Sequence, residues 1–123
     1  MKDKKELIDI SKNIYKAFRE NLKSETVFST ILKFLITAKK SCNDEEKLDK
    51  FLNTIMLCRQ KNIDIIGGNN RAKNDFIYFI DNILEIKRFN NKYKIMNKEL
   101  ENLSFDEIHY IFGWCHRLLK SKY

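Results

Sequence analysis

Apolar residues recur along most of this chain at steps of three and four, the spacing that keeps side chains on one face of an α-helix. Leu7, Ile10, Ile14, Phe18 and Leu22 follow Asp3 and Glu6, a pair able to cap a helix, so the first element is expected at about residues 4 to 23. Ser24 can cap a second helix of about residues 25 to 41, in which Val27, Phe28, Ile31, Leu32, Phe34, Leu35, Ile36 and Ala38 leave little polar surface. A helix apolar nearly all round belongs at the centre of a fold. Asn43 followed by Asp44, Glu45 and Glu46 reads as an N-cap with three acids in the first turn, where the helix dipole favours negative charge. The third helix, about residues 44 to 61, then buries Leu48, Phe51, Leu52, Ile55, Met56 and Cys58.

The periodicity breaks over residues 62 to 73, where Gly67-Gly68-Asn69-Asn70 marks a loop. Asn74 or Asp75 can open a fourth helix of about residues 75 to 90, with Phe76, Ile77, Phe79, Ile80, Ile83, Leu84 and Ile86 forming another wide apolar face. Residues 90 to 103 are polar and basic, with a short helical turn around 97 to 100. Ser104-Phe105-Asp106-Glu107 is a capping box, and the flanking Leu103 and Ile108 supply its hydrophobic staple. The last helix, about residues 105 to 121, turns Ile108, Ile111, Phe112, Cys115, Leu118 and Leu119 inward. The expected architecture is all-α: one domain over residues 1 to 123, a bundle of about five helices without internal repeat or linker.

Composition sharpens this picture. The chain has no proline and only three glycines, which removes most of the punctuation that hairpins and sandwiches need. Its 24 Lys and Arg against 17 Asp and Glu give a formal charge of +7, which bears on partners and not on fold. Lysines outnumber arginines 19 to 5, and Ile and Asn are abundant, so part of this charge reflects an AT-rich coding sequence. Cys42, Cys58 and Cys115 are odd in number and lack Cys-x-x-Cys spacing, which argues against a disulfide framework or a zinc knuckle. The charged N-terminal pattern has no apolar leader core, and no later stretch is long and apolar enough to span a bilayer. A cytoplasmic protein is expected.

Two surfaces carry candidate chemistry. Lys12, Lys16, Arg19 and Lys23 fall on one face of the first helix, a row suited to phosphates or, equally, a solvated lysine face. On the last helix Tyr110, Trp114 and Arg117 share a face, with His109, Gly113, His116 and Lys120 on the strip beside it. Rings beside cations hold single-stranded nucleic acid by stacking in a basic groove. The same trio also matches a protein-partner hot spot or ordinary packing against another helix. Gly113 costs about 1 kcal/mol against alanine in mid-helix, and close packing by a neighbouring helix is the expected reason for it.

No catalytic, cofactor or metal site is expected. His109 and His116 stand two turns apart without a third ligand at motif spacing. No arginine precedes either histidine at the short spacing that metal-independent helical ribonucleases of the HEPN family use. Cys115 and His116, being adjacent, diverge by about 100 degrees around the helix and cannot act as nucleophile and base. Gly67-Gly68 lacks the preceding strand and the following Lys-Ser/Thr of a phosphate-cradling loop, although Arg71 and Lys73 lie beside it.

The whole chain, and above all Ser104 to Lys120, where an aromatic-rich amphipathic helix ends in a basic turn, resembles the small helical subunits of type III CRISPR effector complexes. The resemblance implies a non-catalytic protein that assembles with larger subunits in antiviral defence and lines guide and target RNA. Its RNA contacts would then be drawn from Lys12, Lys16, Arg19, Arg88 and Arg117. The leading expectation is accordingly a helical subunit that binds RNA or single-stranded DNA. The alternative is a helical adaptor or inhibitor from a phage or mobile element that grips a protein partner through Tyr110, Trp114 and Arg117. An enzyme is the third class, since no nucleophile, base and orienting residue share a productive spacing.

Overall fold

The computed structural model describes residues 2–22, 26–41, 43, 46–61 and 70–121, without the side chains of Ser41, Lys61, Asn70 and Arg71. Helices α1 (Lys4–Asn21), α2 (Thr26–Ser41) and α3 (Lys47–Lys61) agree with the periodicity. Asp3 caps α1 by accepting from the Glu6 backbone N–H at 2.9 Å, and the Asn43 side chain accepts from Glu46 at 3.1 Å ahead of α3. The proposed cap at Ser24 and the Gly67-Gly68 loop lie outside the described residues.

The fourth helix departs from expectation at both ends. It begins at Asn70, so that Ala72 extends the buried stripe of Phe76, Phe79, Ile80 and Ile83 by one turn. We label Asn70–Tyr78 α4; the chain then continues as a π-helical segment, Phe79–Leu84, and stops at Glu85 in the left-handed region (φ 55°). Residues 86 to 90 are therefore not helical. Ile86–Phe89 (β1) and Lys92–Ile95 (β2) form an antiparallel hairpin around Asn90 and Asn91, with Ile86 opposite Ile95 and Phe89 opposite Lys92.

The stop has a physical cause on the far side of the hairpin. Asn97 donates from its side-chain amide to the Ile83 carbonyl at 2.7 Å and from its backbone to the Leu84 carbonyl at 3.2 Å, while Met96 N–H reaches Glu85 O at 3.0 Å. These donors satisfy carbonyls that a continuing helix would have bonded itself. The predicted turn after residue 97 is present: Leu100 and Glu101 both donate to the Asn97 carbonyl.

Helix α5 (Phe105–Lys120) starts at the capping box read from the sequence, with Glu107 N–H on Ser104 Oγ at 3.2 Å and Ser104 N–H on Glu107 Oε1 at 3.0 Å. The fold is a small helical domain carrying one two-stranded sheet. Four elements meet on a cluster of phenylalanines: Phe18 of α1, Phe28 of α2, Phe79 of the π segment and Phe112 of α5 sit with ring centroids 4.5 to 6.4 Å apart. All four are fully buried, and tilted or edge-on pairs add to the area they remove from water.

Candidate functional site

The core residues of α5 fix its rotation, and its opposite face opens outward. Asp106, His109, Tyr110, Gly113, Trp114 and Arg117 line a shallow groove of about 480 Å³, and Lys39 near the end of α2 reaches its rim. The sequence trio Tyr110, Trp114 and Arg117 is thus brought together as expected. Tyr110 leans on the core and is half-buried, as is Trp114, while Arg117 is exposed with its guanidinium 5.2 Å from the centre of the indole. That separation is within cation–π range. The Trp114 Nε1–H is shielded from solvent yet has no acceptor among the described residues. A buried donor left without a partner costs about 1–3 kcal/mol, so packing among the described residues leaves the indole N–H unsatisfied.

Gly113 corrects one expectation. A Cβ built there meets nothing within 4 Å among the described residues, so no described helix packs closely against it, and the glycine lines the open groove. Lys39 and Asp106 were absent from the sequence reading of this site. Lys39 is far away in the chain and shows no signal there, whereas Asp106 sits one turn before Tyr110 and could have been placed on the same face. Burial first, and Lys39 second, lower the pKa of His109, with Asp106 opposing. Its imidazole is therefore neutral near pH 7 and offers one donor and one acceptor.

The second surface belongs to the neighbouring helix. α1 and α5 run side by side and parallel: Lys2 N–H reaches Glu107 Oε2 at 2.9 Å, and further along both helices the Cys115 thiol donates to Ser11 O at 3.4 Å. Lys12, Lys16 and Arg19 are all exposed on α1, and no acidic side chain pairs with them among the described residues. Lys23 lies outside the described residues. Lys120 is exposed at the end of α5 but does not line the groove. Arg88, expected on a helix, is exposed on β1, where its Nε donates to Asn90 O at 3.2 Å, and it takes no part in the α5 groove.

A second concavity of about 410 Å³ lies between α3, β2 and the turn before α5, floored by Leu48, Leu52, Ile95, Leu100 and Ile108. It gathers no cluster of nucleophile and base. Among the described residues no three His, Cys, Asp or Glu side chains come together as a metal site, and no helix is long and apolar enough to cross a membrane. Burial pushes the thiols of Cys58 and Cys115 up, which suits packing and not nucleophilic attack. Comparison of the chain with protein-family models, with curated proteins and with solved structures returned no match.

Proposed function

We propose that this protein is a non-catalytic, cytoplasmic module that binds RNA or single-stranded DNA through the α5 groove and the cationic row of α1. The observation that carries this reading is the groove itself: a half-exposed indole under the Arg117 guanidinium, with Lys39 at the rim and open space over Gly113. A base stacked on such a platform and phosphates on nearby cations need no particular sequence. Lys12, Lys16 and Arg19 on the adjoining helix, without acidic partners among the described residues, supply further phosphate contacts.

Membership of a larger assembly, and specifically the role of a CRISPR effector small subunit, rests on the likeness of the whole chain, and above all of Ser104 to Lys120, described above. The competing reading is a protein partner that seats on Tyr110, Trp114 and Arg117, and the shielded Trp114 N–H, without an acceptor among the described residues, favours it to the extent that a partner's carbonyl would satisfy the donor.

The two separate by their response to salt. Titration of a labelled single-stranded RNA should show affinity falling by orders of magnitude between about 50 and 200 mM salt. Lys16→Glu should flatten that dependence, and Trp114→Ala should weaken binding by about 1–3 kcal/mol at every salt concentration. Absence of binding at low salt would end the nucleic-acid reading and direct the search to protein partners, whose aromatic anchors are less screened.

A further inference from the structure

The hairpin that replaces the expected end of the fourth helix has two unlike faces. Strand alternation and the pairing register place Ile86, Arg88, Tyr93 and Ile95 on one face and Lys87, Phe89, Lys92 and Lys94 on the other. The first face is anchored: Ile86 and Ile95 are buried, and Tyr93 packs on the core with its hydroxyl accepting from Gln60 at 3.3 Å. The second face looks outward, with Phe89 44 % exposed and all three lysines exposed.

This outward face is unfavourable for the isolated fold. Lys87 stands directly opposite Lys94, and like charges in facing positions of an antiparallel pair destabilise it. Neither has an ion pair among the described residues, whereas Lys92 on the same face lies 3.7 Å from Asp49. Lys94 Nζ lies 5.8 Å from the centre of the Phe89 ring, so a cation flanks an apolar ring that faces water. The base of the hairpin is held by the Asn97 and Met96 bonds to the end of the helix, which presents the face on a fixed mount.

We infer that the outer face of the β1–β2 hairpin is a separate contact for single-stranded nucleic acid, with phosphates across Lys87 and Lys94 and one base stacked on Phe89. Charge complementarity names the occupant: a polyanion relieves the lysine repulsion, and a base is the apolar, sequence-tolerant group that covers an exposed phenyl ring beside phosphates. The inference shares the class of ligand with the function proposed above but none of its residues.

The test uses the full chain and a fluorescein-labelled single-stranded polyuridine titrated over a range of salt, with thermal unfolding measured in parallel. The double substitution Lys87→Ser/Lys94→Ser should lower affinity at low salt by tenfold or more and reduce the log–log salt slope by about 1.4, for two lost phosphate contacts. Its melting temperature should hold or rise, because the repulsion is gone. Phe89→Ala should lose about tenfold in affinity, and Phe89→Trp should restore it. Lysines also protect open strand edges against association. If the double variant aggregates while binding with the wild-type slope, that protective role is the correct one and the inference falls. Loss of binding in Trp114→Ala and Lys16→Glu alone, with all hairpin variants normal, overturns the hairpin and leaves the α5 groove standing. The reverse pattern overturns the groove and leaves the hairpin, and no binding by the wild type removes both.

Discussion

Replacing Glu107 with alanine should destabilise the fold by about 2–3 kcal/mol, although the residue lies at a helix start where a surface carboxylate is usually worth less than 1 kcal/mol. The difference comes from burial and partners. Glu107 is only 6 % exposed, and each oxygen is occupied: Oε1 accepts from Ser104 N–H at 3.0 Å and Oε2 from Lys2 N–H at 2.9 Å. Hydrogen bonds to a charged group contribute about 1.5–3 kcal/mol each, but the Lys2 amide of an exposed segment can turn to water once released, so the sum is not reached. Glu107→Gln keeps an acceptor for one donor and presents an NH₂ to the other, and should cost about half as much. Ser104→Ala removes the reciprocal bond and should cost about 1 kcal/mol.

Urea unfolding followed by far-UV circular dichroism, with Trp114 fluorescence as a second probe on the same helix, gives these differences at constant m. The Ser104 and Glu107 substitutions should combine to less than their sum, because each single change already breaks the box. The backbone N–H groups of Ser104 and then Lys2 hold the Glu107 carboxyl below the usual carboxylate range. On acidification the unfolded chain takes up that proton first. The stabilisation is therefore complete above the ordinary glutamate pKa of about 4.3 and disappears as pH falls through the lower native value. Glu107→Gln should flatten that limb of the stability–pH curve. A Glu107→Ala protein within about 0.5 kcal/mol of wild type would refute the assignment of this carboxylate as a link between α5 and the start of α1.

Three other perturbations test separate parts of the description. Gly113→Ala should stabilise by about 0.5–1 kcal/mol, since its Cβ meets nothing within 4 Å and the helix gains propensity; a loss of stability in thermal melts would restore the close-packing explanation. Asn97→Ala should cost about 1–3 kcal/mol by leaving the Ile83 carbonyl unsatisfied, and amide exchange over residues 86 to 95 should accelerate more than elsewhere; uniform acceleration would mean that Asn97 does not hold the hairpin. In a Cys42→Ser background, Cys58 and Cys115, 5 % and 0 % exposed, should react with an aromatic disulfide only after unfolding in urea; prompt reaction in buffer would contradict the burial that raises both thiols.

Most of the architecture was legible because four helices carry uninterrupted apolar stripes and two carry sharp start signals, Asp3 and Ser104, both found acting as caps. The Tyr110–Trp114–Arg117 face was equally legible, because residues three and four apart on one helix must be neighbours whatever the rest of the fold does. Lys39 was not, since it arrives from another helix through tertiary packing alone. Gly113 shows the limit of a single-residue rule: mid-helix glycine predicts an approach, and here the space above it is empty.

The hairpin was missed for a more instructive reason. Ile83, Leu84 and Ile86 satisfy a helical stripe, and Ile86 would sit correctly on it if the helix continued, so its apolar pattern fits both states. The usual breakers are missing: Glu85 and Asn90 adopt positive φ in place of glycine, and there is no proline. The decisive event is non-local, because Asn97 and Met96 must return to the helix end before stopping there becomes favourable. What the sequence does contain is the alternation Ile-Lys-Arg-Phe, Asn-Asn, Lys-Tyr-Lys-Ile, two short β-prone runs around asparagines that tolerate the left-handed region. On that pattern the same lysines that as a helix end read as solvated charge become a facing pair on a strand, Lys87 opposite Lys94, where like charges oppose one another as they would not along a helix surface.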